Sequence, residues 1–506
     1  MPSYLSPGVY VQEVSSGSKP IEGVGTAVAA FVGLAQEGPI NEPTLVTNWT
    51  QFTTTFGDFM PDSYLAHSVY GYFLNGGGSA YVVRVGDAGS DSLPLSRAAL
   101  SAAAEGAPPL TVSAIEAGPA GDDITVEIQD ATEAAEGAFK VIISRGDKVE
   151  ETFDNVTTKR GAQNVITALK RSRLIKVDEA PATLEAPLAR GKVALSGGKV
   201  PATVSISADD YIGNASDRSG FAGLEAIDEV TMLSVPDAMW AFQKGLIDMD
   251  GLQAIHLAMI AHCELMSDRV AVIDAPPGLN AQQVKEWRVD KAGYDSKFAA
   301  LYWPWIKVMD PVKGQPTLIP PSGHVSGVWA RSDDTRGVHK APANEVVRGA
   351  LGPALKITRG EHDQLNPHGV NCIRAFPGRG VRIWGARTLS SDPEWRYLNV
   401  RRLFNFVEQS ILRGTDWVVF EPNDARLWDA VKRTVTMFLR RVWRDGALFG
   451  ATAGEAFFVK CDAENNPPET RDVGQLIIDV GIAPVKPAEF VVFRISQYAG
   501  SSEASE

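Results

Sequence analysis

Cysteine is scarce in this chain, with three residues in 506: Cys263, Cys372 and Cys461. An odd number of thiols about 90 to 110 residues apart is no disulfide framework, and it fits synthesis in a reducing compartment. Long apolar runs are also missing. None reaches the roughly 18 residues that cross a bilayer, and the longest candidate, Val24 to Ala35, stops before Gly38-Pro39 and is expected to be a buried strand. Met1-Pro-Ser-Tyr-Leu5 does not begin a basic segment followed by an apolar one, so no secretory signal is expected. Positive charge is in deficit: 48 Lys plus Arg face 61 Asp plus Glu, for a formal net charge of -13. Such a chain is a poor general binder of polyanions. Hydrophobic residues at 44% and charged residues at 22% exclude wholesale disorder. A soluble, cytoplasmic protein is expected, and at roughly 150 residues per domain the length suggests about three domains.

The charge is unevenly distributed. Asn371 to Arg444 holds 13 Arg and one Lys against seven acids, a net of +7, which leaves -20 for the remainder. The same stretch carries five of the 11 tryptophans: Trp384, Trp395, Trp417, Trp428 and Trp443. Asp87 to Ser205, in contrast, has only Phe139 and Phe153 as aromatics. A break of this kind marks boundaries near 87 and 205, so the chain reads as a compact body interrupted by an independent insertion. No repeat of fixed period is present.

Pro7 to Val14 is a short β-rich segment leading into Ser15-Ser-Gly-Ser-Lys-Pro20, a flexible leash without a hairpin partner. Ala66 to Leu74 reads as a helix ended by glycines, followed by a strand at Tyr81 to Val85. Beyond the insertion, strands at Thr231–Val235 and Arg269–Ile273 alternate with helices at Leu252–Met266 and Ala281–Lys291. That alternation argues an α/β domain with a mainly parallel sheet. Two amphipathic helices follow, one carrying Val400, Leu403, Val407 and Ile411, the other Leu427, Val431, Val435, Phe438 and Val442 behind an Asn423/Asp424 cap. Phe490 to Ile495 reads as a last strand, and the polar tail after it is expected to be disordered.

Candidate chemistry is thin. No G-x-x-x-x-G-K-[ST] phosphate loop exists, and Phe376-Pro-Gly-Arg-Gly380 lacks the third glycine of a dinucleotide fingerprint and reads as a turn. His256 and His262, beside Cys263, point about 120° apart on a helix, which is wrong for zinc. Ser322-Gly-His324-Val-Ser326-Gly327 is no nucleophile elbow and reads as a turn. Asp333-Asp334, near Arg331 and Arg336, could be an ion-pair cluster or a metal site, and a solvated loop is expected. No catalytic, cofactor-binding or metal-binding residue emerges.

Two features remain. On the second amphipathic helix Arg426, Arg433, Arg440 and Arg444 fall within about 40° of one another, opposite the apolar stripe, with Arg441 beside them. They form a row roughly 27 Å long at ~1.5 Å per residue. It is either a solvated face or a dock for an acidic surface, since the arginine fork matches carboxylates. The other feature is the pair of leashed terminal strands. Val9, Tyr10, Val11 and Val14, and Phe490, Val491, Val492, Phe493 and Ile495, either close on their own domain as edges or cross to a neighbouring subunit.

Several ordered motifs resemble the contractile phage-tail sheath family, which includes the sheaths of phage-derived injection systems. They are Tyr4-Leu-Ser-Pro-Gly-Val-Tyr-Val-Gln-Glu-Val14, His67-Ser-Val-Tyr-Gly-Tyr-Phe-Leu-Asn-Gly-Gly77, Pro320 to Arg331, Trp384-Gly-Ala-Arg-Thr-Leu389, Asp392 to Phe404, Trp417 to Asp424 and Pro487 to Ile495. The resemblance covers about 1–86 and 206–506. It implies an α/β, multidomain sheath-type core built from N- and C-terminal segments, with an inserted mainly-β module and extended terminal strand arms. The segments are then an arm and linker (1–20), the first part of the core (21–86), the outward-facing insertion (87–205), an α/β domain (206–330), a C-terminal assembly domain (331–486), and an arm with a disordered tail (487–506). It further implies a non-enzymatic homo-oligomer of stacked six-fold rings around an inner tube, with the arms completing sheets in neighbours. Contraction would release stored conformational energy without nucleotide hydrolysis or any cofactor. The implied partners are an inner tube protein, which the arginine row would face, and baseplate and tail-terminating cap proteins. Neither nucleic acid nor membrane insertion is implied, and the location is the producing bacterium's cytoplasm, then the particle. The alternatives are a polyanion-binding structural protein using 371–444, or a hydrolase.

Overall fold

The computed structural model describes residues 20–60, 63–86, 95–103, 109–115, 121–133, 137–146, 148–159, 161, 163–179, 187–198 and 206–494. The chain divides into two compact units, a body of residues 1–85 with 207–506, and an insert, Gly86–Ile206.

The body is built on an eight-stranded sheet. In chain order its elements begin β1 (Val28–Gly33), β2 (Thr44–Val46), α1 (Trp49–Phe56), α2 (Leu65–Asn75) and β3 (Ser79–Arg84). After the insert come β4 (Met232–Ser234), α3 (Asp237–Gln243), α4 (Met249–Met266), β5 (Val270–Asp274), α5 (Ala281–Glu286) and β6 (Ala299–Trp303). Next are β7 (Ile306–Met309), β8 (Pro316–Ile319), α6 (Ser322–Arg336), β9 (Ala350–Pro353), α7 (Arg359–Leu365), β10 (Val370–Phe376) and β11 (Gly380–Ile383). The sheet order is β11-β10-β6-β5-β4-β1-β3-β2, parallel throughout except at its two outer strands. Every residue of β4, β5 and β6 is buried, as expected of parallel strands covered on both faces. Strands β8, β7 and β9 form a small antiparallel sheet.

The Ser322–Gly327 stretch, expected as a turn, lies inside α6. Its glycines serve close helix packing rather than chain reversal. A Cβ on Gly323 would lie 2.4 Å from Ser68 Cα, and one on Gly327 would lie 2.4 Å from the Tyr72 carbonyl oxygen. Gly71 of α2 answers in kind, since a Cβ there would lie 2.1 Å from His324 Nδ1. Removing side chains on both helices lets α2 and α6 approach along their whole contact.

A second apolar core holds α8 (Leu398–Gly414), α9 (Ala425–Arg444) and the two-stranded sheet β12–β13 (Phe457–Lys460, Asp479–Ile482). Asp424 caps α9 by accepting from the Arg426 and Leu427 amides, both at 3.0 Å. Ile21, ahead of β1, lies in this core too. Ile21 is 2% exposed and Val24 N–H donates to Ser410 Oγ of α8.

The two cores are joined by a buried ion pair. Arg402 of α8 donates to both Asp333 oxygens of α6, at 2.9 and 2.6 Å, with only 3% and 4% of the two side chains exposed. Thr26 Oγ1 donates to the same carboxylate at 2.7 Å, and the guanidinium lies 4.9 Å from the Trp329 ring centroid. Asp333 is therefore not part of a solvated loop. It sits in the last turns of a helix, where the neighbouring helix supplies its counter-charge.

The insert has its own core, centred on Val126, Phe139, Ile143, Leu110 and Val112. Its strands make two antiparallel sheets: Gly191–Ala194, Ile124–Asp130, Phe139–Arg145 and Lys148–Val156 in one, and Arg97–Leu100, Leu110–Ala114 and Ile175–Glu179 in the other. Among the described residues it has one short α-helix, Val165–Leu169, and is mainly β.

Arg402→Leu leaves Asp333 buried without its partner. It is expected to lower the unfolding free energy by about 3–5 kcal/mol, measured by urea denaturation followed through tryptophan fluorescence.

Candidate assembly surfaces

In open α/β sheets, ligands bind beyond the carboxyl ends of the strands where strand order reverses. Here that point lies between β1 and β4, because β1 leads to β3 on one side and the chain later returns to β4 on the other. The crevice is filled by the protein's own Asp237. Its carboxylate accepts from Leu34 N at 2.6 Å, Ser63 Oγ at 2.8 Å, Leu65 N at 3.1 Å and Tyr64 N. Two of these amides belong to the start of α2, where a helix favours an anion. Gly33 leaves the necessary room, since a Cβ there would lie 2.4 Å from Asp237 Oδ2. Burial pushes the Asp237 carboxyl up to about 6, against the lowering effect of its hydrogen bonds.

His256 and His262 are both buried. His256 Nδ1 lies 3.0 Å from Tyr294 Oη, and His262 Nε2 lies 3.2 Å from Arg269 Nη1. Burial lowers their pKa values to about 3 and about 4, the latter with help from the Arg269 charge. Among the described residues no three His, Cys, Asp or Glu side chains come together.

Two sets of arginines stand out in the basic, tryptophan-rich stretch. One set has partners within the chain, on buried side chains such as Arg401 and on exposed ones such as Arg379 and Arg413. Arg401 is 2% exposed, donates to Asn405 Oδ1 at 2.7 Å and Glu408 Oε2 at 3.0 Å, and stacks 4.6 Å from the Trp395 centroid. Arg379 lies over Phe376 and Trp384, and Arg413 donates to the Asp228 carbonyl. Arg441 is exposed but has partners, donating to the Ile21 carbonyl at 2.7 Å and lying over Phe438, so it does not share the situation of the row. The other set is the row itself. Arg426, Arg433, Arg440 and Arg444 are exposed, and among the described residues none of their side chains has a hydrogen-bond or ion-pair partner. Met437, 54% exposed, lies on the same face.

Of the terminal strands, Val9, Tyr10, Val11, Val14 and Ile495 lie outside the described residues. Phe490 to Phe493 are described, and they do not close on their own domain as an edge strand. They belong to no strand, and they are 73%, 70%, 77% and 82% exposed. A strand forms only with a hydrogen-bonding neighbour, and this segment has none in a single chain. It leaves the body beside a groove of about 810 Å³ lined by Arg336, Lys340, Arg359, Arg374, Trp384 and the segment's own root. Sequence reasoning missed Asp237, the Arg402–Asp333 pair and Glu489 at that root. The only local signals were Pro236 before Asp237, the Arg401-Arg402 pair and the proline-bounded strand after Glu489.

Residues 237–389 match the family model for the phage tail sheath protein central domain, and residues 390–497 that for the phage tail sheath C-terminal domain. Together they cover just over half of the chain, which belongs to the phage tail sheath protein family. The tail sheath protein of Salmonella phage ViI is 26% identical over 234 residues, 45% of this chain and 36% of that protein. That of Escherichia phage P2 is 23% identical over 304 residues, 58% of this chain and 71% of that one. The chain thus spans little more than a third of the ViI relative's length. Among solved structures, a chain of the anti-feeding prophage baseplate superimposes with a TM-score of 0.60 at 24% identity, covering 98% of this chain and 100% of that one. A chain of the contracted PVC sheath complex, an extracellular contractile injection system, gives 0.58 at 24% identity, covering 98% and 99%. These likenesses confirm the mixed α/β sheath fold. The relatives are structural tail sheath proteins, not enzymes.

Because the folded-state pKa of Asp237 is raised, its contribution to stability is complete below the unfolded value near 3.8 and is lost as pH rises through about 6. The stability advantage of wild type over Asp237→Asn should therefore shrink by roughly 3 kcal/mol between about pH 4 and pH 7, measured by paired urea titrations.

Proposed function

We infer that this chain is the sheath subunit of a contractile tail or injection particle. Copies stack as six-fold rings around an inner tube, and the sheath shortens and widens to drive that tube through a target envelope. The observation that carries this reading is the segment Phe490–Phe493, four consecutive apolar residues at 70–82% exposure. Successive strand residues face opposite sides, so both faces of this segment are apolar, the pattern of a strand covered above and below. A lone subunit cannot cover them, and a neighbour can. The sheet β12–β13 supports strand addition, since each of its strands has a single sheet neighbour among the described residues. Val9 to Val14 is proposed as the matching N-terminal arm.

The arginine row is proposed to face the inner tube. Exposed guanidinium groups without internal partners suit an acidic surface, and polar contact permits release as the sheath widens. Energy comes from repacking between subunits. The self-filled crevice at Asp237 supports that view, because the usual ligand position of such a sheet is occupied by the protein itself. Baseplate and tail-terminating cap proteins are the further partners, and assembly takes place in the producing cell's cytoplasm.

Purified protein is expected to form rings or hollow tubules in negative stain. A chain lacking residues 1–18 should remain folded by circular dichroism yet fail to polymerise, and tubules from it would refute the N-terminal arm. Arg433→Glu/Arg440→Glu should alter folding stability by no more than about 0.5 kcal/mol while abolishing co-sedimentation with the inner tube. Unchanged co-sedimentation would return the row to a solvated face. The same groups also suit phosphates, so salt-dependent retention on DNA would favour a polyanion partner.

A further inference from the structure

The residue immediately before the exposed segment is held unlike anything after it. Both oxygens of Glu489 accept from Arg387, from Nε at 2.9 Å and Nη2 at 2.7 Å, in the planar two-bond geometry specific to arginine. Asn366 Nδ2 donates to the same carboxylate at 2.8 Å, and Tyr397 Oη donates at 3.0 Å. The socket is itself fixed to the large sheet. Asn371 of β10, fully buried, accepts from Arg387 N and donates to the Arg387 carbonyl, both at 2.8 Å. Arg387 Nη1 completes the set on the Asn366 carbonyl at 3.1 Å. One residue further along, exposure rises to 73% and stays at 70% or more for four residues.

We propose that the Glu489 socket is the anchor of the C-terminal strand: it fixes where that strand leaves one copy of the chain and hence where it reaches a second copy. The partner is another molecule of this same protein, and the proposal rests on the strand-donation reading above. Glu489 is a positioning residue. Four donors from three separate segments determine the position from which Phe490 sets out. A flexible root would let the strand sample many directions and meet its acceptor rarely, whereas a fixed root raises its effective concentration there. Burial pushes the Glu489 carboxyl up, but the Arg387, Asn366 and Tyr397 bonds and the Arg387 charge outweigh it and hold the group below its ordinary range. The anchor therefore stays charged at neutral pH.

The test uses the full-length protein. Glu489→Gln and Arg387→Lys remove the charge and the fork respectively with little change in size. Each is expected to reduce sedimentable tubules at least tenfold at a thermal midpoint near that of wild type. Polymerisation at the wild-type level by both variants would overturn the proposal. If either variant loses its folded body, a Gly-Gly insertion between Glu489 and Phe490 decides, because it leaves the socket intact and lengthens only the free segment. A fixed exit requires that insertion to change tubule yield or subunit spacing, and unchanged tubules by microscopy would overturn the proposal. A chain ending at Glu489 separates the two levels. If it still polymerises, strand donation itself is wrong. If it does not, while the point variants and the insertion assemble normally, only the anchor is wrong.

Discussion

The body depends on one ion pair. Arg402 and Asp333 lie at the meeting of two apolar cores, one under the eight-stranded sheet and one between the C-terminal helices, and each charge is almost wholly out of water. Burying a carboxylate and a guanidinium is costly unless both are paired and fully hydrogen-bonded. Here the fork is bidentate, Thr26 Oγ1 supplies another donor, and the Trp329 ring lies against the cation. Any relative slip of α6 and α8 would break the fork and strand two charges. The sheet and the helical core are thereby held together as one piece.

The same logic explains the arginine-rich stretch. Its tryptophans and arginines are largely companions, as in Arg401 over Trp395 and Arg379 over Trp384, where a delocalised cation meets an aromatic face. After these are set aside, the row on α9 remains on the surface, together with exposed Arg396 and Lys432. A net charge along a chain therefore overstates what a partner meets, because part of it, as at Arg387, Arg401 and Arg402, is buried against partners within the chain.

How far the sequence could be read follows from the range of the forces involved. The apolar stripes of α8 and α9 and the Asp424 cap are local patterns, and they appear in the structure where periodicity places them. The fall in aromatics from Asp87 to Ser205 lies beside the limits of the insert, because composition follows the size of the core a unit must fill. The long-range pairings could not be read. Ser322–Gly327 resembles a turn until Ser68 and Tyr72, some 250 residues earlier, are known to press against it. Asp333 resembles a loop acid until Arg402 arrives from another helix, and Glu489 is unremarkable without Arg387, Asn366 and Tyr397. Glycine and charge carry their meaning through contacts that the linear order hides.

The roots of both terminal segments are attached to one helix. The Thr26 carbonyl accepts from Arg402, Val24 N–H donates to Ser410, and Glu489 accepts from Tyr397, the residue that caps the helix's start. Tyr397 and Ser410 are roughly 20 Å apart along the axis at ~1.5 Å per residue. A pull delivered at one end of the chain thus reaches the other through a straight run of helical backbone, in its stiffest direction, without passing through a loop. Mechanically, α8 is a tie rod between two hooks, and a lattice of such subunits would carry tension from helix to helix.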